Sequence, residues 1–291
     1  MRRCPMGFGP LVWWFPRRSV TRAAGCWARS RLSRPAIALY IKRYGVDPAE
    51  AEKPIAEYQS LAEFFGRRLK VGSRPIDHTE GGIVSPCDGL LSAQGAIDGN
   101  TCMLVKGVPY SVPMLLAANA SIATPFHGGW FMTLYLSPRD YHRVHVPMAG
   151  EIVGWTHVPG TLYPVNPWGV KAIPTVFVRN ERVITYIRTD AGTYAVVMVG
   201  AFVVGGISLA HIPQLISNRR PIRMWSQKLN PPISVSPGDE LGQFNFGSTV
   251  ILLFPPQVIQ DHRPLATGSI LKMGQLLARQ KGDSHGNPVA F

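Results

Sequence analysis

Residues 183–210 read VITYIRTDAGTYAVVMVGAFVVGGISLA, and how this stretch folds decides the architecture. The part from Tyr194 to Ala210 is uncharged, but it is shorter than the roughly 20 residues that a membrane-spanning helix needs. Gly200, Gly205 and Gly206 stand among its valines and Phe202, which suits buried strands better than one helix. Val183–Arg188 and Tyr194–Val204 therefore read as strands. The same β-branched and aromatic character recurs in Phe131–Leu136, Thr175–Val178 and Thr249–Phe254, with Gly, Pro and Asn between the runs. From Gly81 onward the chain is predicted to be mostly antiparallel sheet.

Composition agrees with a turn-rich, strand-heavy fold. The 291 residues include 29 Gly and 26 Pro, and 46% are hydrophobic. Only 16% are charged, against about 25% in an average soluble domain. A coiled coil, an acidic disordered chain and a long helical bundle are excluded. Cys4, Cys26, Cys87 and Cys102 form no CxxC pair and no zinc spacing, so they are expected as reduced thiols without a disulfide framework. SPCDG (85–89) and SPGDE (236–240) echo one another as tight turns between strands, and the polar tail from Arg279 is expected to be loose.

The charge is concentrated at one end. Residues 1–46 hold ten basic side chains and no acid, which leaves only +3 of the net +13 for the other 245 residues. Phe8, Trp13, Trp14, Phe15, Trp27, Tyr40 and Tyr44 are interleaved with them. Arginine among tryptophan and tyrosine suits an anionic bilayer surface, where each cation gains about 1 kcal/mol. A nucleic-acid arm and an Arg-rich transit peptide are the competing readings; the apolar bulk argues against nucleic acid. Pro5, Pro10 and Pro16 interrupt any secretory signal.

Three short helices are expected along residues 36–69. Pro35 opens Ala36–Tyr44, with Ile37, Tyr40, Ile41 and Tyr44 on one face and Gly45 to end it. Asp47-Pro48 caps a helix over Ala49–Lys53. Ser60 and Glu63 form a capping box for Leu61–Leu69, which buries Leu61, Phe64 and Phe65. The organisation is a basic amphipathic membrane-associating arm (1–46), a helical connector (47–80) and a mostly-β catalytic domain (81–291). The fold class is α+β, predominantly antiparallel β-sheets with an N-terminal helical membrane-associating region.

Three places carry chemistry. In SPRDYHRVHVP (137–147) two histidines stand three apart among Arg and Asp. If the segment is extended, His142 and His145 face opposite ways and do different jobs; if it is a helical turn they share a face and suit a metal. The plain alternative is a surface loop with Asp140 paired to Arg143. In FNFGSTV (244–250) Gly247 removes the side chain that guards the carbonyl before Ser248. That would let the Ser248 hydroxyl attack its own preceding peptide bond, although for an isolated Gly-Ser an ordinary glycine bend before a strand is the better explanation. Asp88, in Pro-Cys-Asp-Gly, is by itself a turn residue.

Together these motifs decide more than each does alone. Asp88 in SPCDG, YLSPRDYHRVHVP (135–147), VPGTLYPVN (158–166), RNERV (179–183) and FGSTV (246–250), with RPID (74–77) and the Gly-Gln at 274–275, resemble phosphatidylserine decarboxylase of the bacterial type. The resemblance runs in the same order from about Phe15 to about Gln275. Phe246 and Pro164 depart from the family pattern, which has Leu before Gly-Ser-Thr and often Ser in place of Pro164.

The resemblance implies a self-made prosthetic group. Ser248 Oγ attacks the Gly247 carbonyl, an ester forms, and elimination and hydrolysis leave a pyruvoyl group from Ser248 with loss of ammonia. The products are chains 1–247 and 248–291. His145 matches the family's base, Asp88 its orienting carboxylate, and His142 the residue of the decarboxylation half. Phosphatidylserine then forms a Schiff base to the pyruvoyl group, which accepts the electrons as CO2 leaves. The cofactor is thus pyruvate, with no metal. The partners are the anionic phospholipid membrane surface, the lipid substrate and the two self-cleaved chains held together, with a homodimer left open and no nucleic acid. The expected location is the cytoplasmic side of a bacterial inner membrane, peripherally bound, because the likeness begins near Phe15 and leaves little room for a transit segment.

Three rivals predict different things. A metal hydrolase would use His142 and His145 with His127, Asp140 or His157. A serine hydrolase would use Ser248 on outside substrates, but it lacks the second Gly of G-x-S-x-G. A lipid-binding module would use the arm alone.

Overall fold

The computed structural model describes residues 18–105, 107–201, 206–216, 223–245, 248–262 and 265–280. Residues 1–17 of the arm, Phe202–Val204 of the deciding stretch, and Gly247 lie outside them.

An eight-stranded antiparallel sheet forms the centre. Its order is Trp225–Val235, Gly150–Val158, Arg182–Thr189, Gly192–Gly200, Ser248–Phe254, Trp130–Leu136, Gly89–Ala96 and Ile270–Leu271. Ser248–Phe254 is central, with all seven residues buried. Alternation along a strand sends successive side chains to opposite faces. Val250, Leu252 and Phe254 join Leu136, Met198 and Val183 in one core, while Ile251 and Leu253 join Val197, Ile184 and Phe131 in the other. Both faces are covered, which is why the strands read as nearly continuous apolar runs.

A four-stranded sheet of Ile212–Ile216, Ile207–Leu209, Glu240–Phe244 and Arg143–His145 packs beside it. Gly82–Val84, Leu276–Gln280 and Ile259–His262 make a third sheet. Arg279 and Gln280 pair with Gly82 and Ile259, so the chain is anchored two residues further than the sequence suggested; residues 281–291 lie outside the described part.

Thr175–Val178 is not a strand. Val176–Arg179 is a helical turn preceded by Thr175 at φ +56°, a left-handed conformation that interrupts the extended backbone a strand needs.

The front is helical as expected, with shorter pieces. Arg18–Arg29, which the sequence reading left within the arm, is a helix. Ala36–Tyr44 ends at Gly45, whose φ of +67° is the left-handed cap. Ile37 and Tyr40 are buried, whereas Tyr44 is exposed. Asp47 does cap, accepting from Ala49 N, but only for one turn, Pro48–Glu50, since Ala51 bridges to Leu69. Ser60 Oγ accepts from Glu63 N, and Glu63 reaches back to Gln59 N at 2.8 Å. Gly66 stops that helix at Phe65 rather than Leu69. Leu61, Phe64 and Phe65 close a small core with Ile37, Val46 and Tyr58. Among the described residues no helix is long and apolar enough to cross a membrane.

Candidate active site

The loop that follows Trp130–Leu136 builds the site. Asp140 Oδ2 accepts from both the backbone N and the Oγ of Ser137, at 2.7 Å each, and so closes the turn. Asp140 lies 3.8 Å from Arg139, while Arg143 pairs with Glu240 at 2.6 Å; the Asp140–Arg143 pair does not form. The helical front clamps the same loop: Tyr40 donates to Pro138 O, Arg67 to Arg139 O, and Arg143 donates in turn to Gly66 O at 2.9 and 3.1 Å.

His142 leads into the extended segment Arg143–His145, and the two histidines have separate surroundings, as the extended alternative requires. His142 is fully buried and stacks on Phe65, ring centres 3.9 Å apart. Its Nε2 lies 3.0 Å from Ser137 O, and its Nδ1 lies 3.3 Å from Ser248 Oγ. A carbonyl only accepts, so Nε2 carries the proton and Nδ1 is left to accept from the Ser248 hydroxyl. Burial, aided by the Arg67 charge, lowers the His142 pKa to about 3. The ring is therefore neutral and a weak base.

His145 is held differently. Its backbone N donates to Pro86 O at 2.7 Å, and its Nδ1 donates to Gly238 O at 2.7 Å. The two echoing turns, SPCDG and SPGDE, thus converge on this one residue. Gly238 has φ +89°, a backbone conformation that is strained for residues with a side chain, so glycine suits this turn. Burial pushes the Tyr141 phenol up to about 12; it keeps its proton and donates to His145 Nε2 at 3.1 Å. Burial lowers the His145 pKa too, but the Gly238 carbonyl and the negative charges of Glu240 and Asp88 oppose the shift.

Asp88 is not hydrogen-bonded to His145. Its oxygens take Arg74 Nε at 2.8 Å, Arg74 Nη2 at 2.6 Å, Met273 N at 2.9 Å and Lys272 Nζ at 3.3 Å. Burial alone would raise its pKa, but Arg74 and these partners hold the carboxyl below the usual range. It reaches His145 through its field rather than by contact. The structure brings His142 to Ser248, and Asp88 bonds Arg74, Met273 and Lys272 rather than His145.

The place of Arg74, Phe65, Tyr141 and Lys272 in the site is not read from the sequence. Arg74 opens the RPID element and Lys272 stands just before the Gly-Gln pair; their nearness to recognised motifs was the available signal. Among the described residues no group of three or more His, Cys, Asp or Glu is gathered as for a metal ion.

The family model for phosphatidylserine decarboxylase matches residues 61–279. A protein from Brevibacillus brevis called phosphatidylserine decarboxylase proenzyme is 41% identical over 272 residues, covering 93% of this chain and 97% of that protein. Proteins of the same name from Ectopseudomonas mendocina and a Pseudomonas putida strain are each 40% identical, covering 90% of this chain and 94% of theirs.

Proposed function

The chain belongs to the phosphatidylserine decarboxylase family, and from that premise we propose that it converts phosphatidylserine to phosphatidylethanolamine and CO2 with a pyruvoyl group made from its own Ser248. The observation that carries this reading is a fully buried Ser248 at the head of a central strand, its hydroxyl 3.3 Å from a neutral imidazole. A buried serine presented to an unprotonated nitrogen fits a residue that is to be activated, since a free hydroxyl is a poor nucleophile.

In the proposed cut, Oγ bonds to the Gly247 carbonyl carbon as the Gly247–Ser248 C–N bond breaks, giving an ester. Loss of the Ser248 α-proton and of the Gly247 carboxylate leaves dehydroalanine, and water releases ammonia. His142 and His145 divide the proton work by position and basicity. His142 touches the hydroxyl and orients it, but its pKa of about 3 makes it a weak acceptor. A base works best when its pKa is near the working pH. His145 is the proposed acceptor: its Nε2, which accepts from Tyr141 in the resting chain, takes the serine proton once that hydrogen bond gives way. In the finished enzyme the pyruvoyl group supplies an electron sink for decarboxylation. His142, held on Phe65 beside residue 248, relays to the substrate carbon a proton that Nδ1 takes up from solvent.

The membrane surface belongs to the same proposal. Trp27, Leu32 and Leu39 on the helical front are 48%, 81% and 68% exposed. They stand among the exposed Arg29, Arg31 and Arg34, an arrangement suited to anionic lipid. The reading places the protein peripherally on the cytoplasmic face of a bacterial inner membrane.

Denaturing intact mass tests the core of it. Two chains divided between Gly247 and Ser248, the smaller lighter than its sequence by one ammonia, together with CO2 release from phosphatidylserine vesicles, are expected. A folded chain that stays whole and releases no CO2 overturns the reading.

A further inference from the structure

A neutral imidazole has one lone pair to offer as a base, and in His145 that pair is occupied. Nδ1 donates its proton to Gly238 O at 2.7 Å, which leaves the free pair on Nε2. The Tyr141 hydroxyl donates to that Nε2 at 3.1 Å. The two rings also stack, with centres 5.6 Å apart and planes 29° apart, and both side chains are buried. The neighbouring acids are engaged elsewhere. Glu240 pairs with His145 across the strands, but its carboxylate holds Arg143 at 2.6 Å. Asp88 is held by Arg74, Met273 and Lys272. His145 itself is pinned, through its backbone N to Pro86 O and through Nδ1 to Gly238 O. Tyr141 is freer, because it stands between the Ser137–Asp140 turn and the strand Arg143–His145, outside regular structure.

We propose that Tyr141 is a latch on the self-processing step: its hydroxyl closes His145 Nε2, and the cut at Ser248 proceeds only from the open arrangement, in which the Tyr141 side chain has turned away. The inference rests on the proposed function, because the part of His145 in the cut is what gives a hydrogen bond on its Nε2 a consequence. Counting protons shows why the latch matters. In the closed arrangement the lone pair of Nε2 is spent on the Tyr141 proton, and no second proton can be taken there. In the open arrangement Nε2 takes the Ser248 proton as Oγ bonds to the Gly247 carbonyl carbon. It then gives that proton to the Ser248 nitrogen as the C–N bond breaks, and His145 ends neutral. Tyr141 keeps its own proton throughout, so it is a positioning residue. The helical front clamps the loop that carries Tyr141 at Pro138 O and Arg139 O, which confines the opening to the side chain. A neutral hydrogen bond favours the closed arrangement about two- to tenfold.

The test follows the full chain by intact mass against time after cell-free synthesis. Tyr141→Phe keeps the ring and its stack and removes only the hydroxyl. It is expected to cut about two- to tenfold faster than the parent, whereas loss of a merely structural contact would slow the cut. His145→Ala and the double variant Tyr141→Phe with His145→Ala are expected to stay whole, because the latch acts through His145. A second readout is independent of the cut. In the uncut Ser248→Ala chain with isotope-labelled histidine, Tyr141→Phe is expected to move the His145 Nε2 resonance toward that of an unbonded acceptor nitrogen while Nδ1 stays protonated. Tyr141→Leu, which also lacks the hydroxyl, takes the place of Tyr141→Phe in both measurements if the latter misfolds. A variant without the hydroxyl that cuts at the parent's rate or slower, a double variant that cuts, or an unmoved Nε2 resonance overturns the latch. A parent chain that never cuts, or a His145→Ala chain that cuts like the parent, overturns the proposed function or its choice of base instead, so the two failures are distinguishable.

Discussion

Arg74 grips Asp88 through both carboxylate oxygens, and the same guanidinium holds Glu50 at 2.8 and 3.0 Å. Glu50 belongs to the helical front, Arg74 to the linker, and Asp88 to the β-domain. Lys272 and Met273 join from the far side of the proposed cut. One cation thus ties the front to the body, and one carboxylate ties the body to the segment beyond the proposed cut.

Breaking this network from one end leaves a buried charge behind. Arg74→Met in an uncut Ser248→Ala background is expected to cost about 3–5 kcal/mol, the usual result of removing one partner of a buried pair. The double variant with Asp88→Asn is expected to cost less than the sum of the two singles. Urea unfolding of the four proteins measures both; additive costs would show that the pair acts as two independent residues.

The two histidines are separable. His145→Ala is expected to stop the cut, slowing it by about a hundredfold or more. His142→Ala is expected to slow the cut only modestly but to abolish CO2 release from the protein that does cut. Intact mass against time reads the first step and CO2 release the second. An uncut His142→Ala chain beside a normally cut His145→Ala chain would reverse the roles.

Acid should weaken the fold through His142. Its pKa falls from an ordinary 6.5 in the unfolded chain to about 3 in the folded one, so below 6.5 the unfolded state binds a proton that the folded state refuses. Stability is full above 6.5 and is lost as pH falls toward 3, by about 1.4 kcal/mol per pH unit for one proton. His145, also lowered, acts in the same direction. Urea midpoints of the Ser248→Ala chain from about pH 7 to about pH 5 should fall accordingly, and His142→Gln should flatten the slope.

Lipid attachment can be read on the helical front. Leu32→Glu with Leu39→Glu places two anions on exposed positions and should release the protein from anionic vesicles in sedimentation while the cut still proceeds. Retention equal to the parent would assign attachment to residues outside this surface.

What the sequence disclosed follows from the kind of physics involved. Thr249–Phe254 and Tyr194–Gly200 were legible because strands buried on both faces must be apolar throughout, whatever their neighbours. Ser60 and Gly45 were legible because caps are local. Thr175–Val178 was not legible because a run of four carries no period, and Thr175 at φ +56° breaks the extended backbone. The partners of Asp88 were out of reach for another reason: Arg74 lies 14 positions before it and Lys272 184 positions after it. The resemblance named the acid, but only the fold says what holds it.

The place of Ser248–Phe254 in the middle of the sheet has a consequence for the life history of the protein. Its neighbours on both sides, Gly192–Gly200 and Trp130–Leu136, belong to the other side of the proposed cut. Before the cut, folding is unimolecular, and the strand finds its slot because it is tethered. After it, the same slot must be refilled from solution by a free peptide, a bimolecular event whose rate falls with dilution. If the proposed cut occurs, the finished enzyme keeps its structure by never having let go, and its refolding is expected to fail increasingly on dilution where that of the uncut Ser248→Ala chain does not.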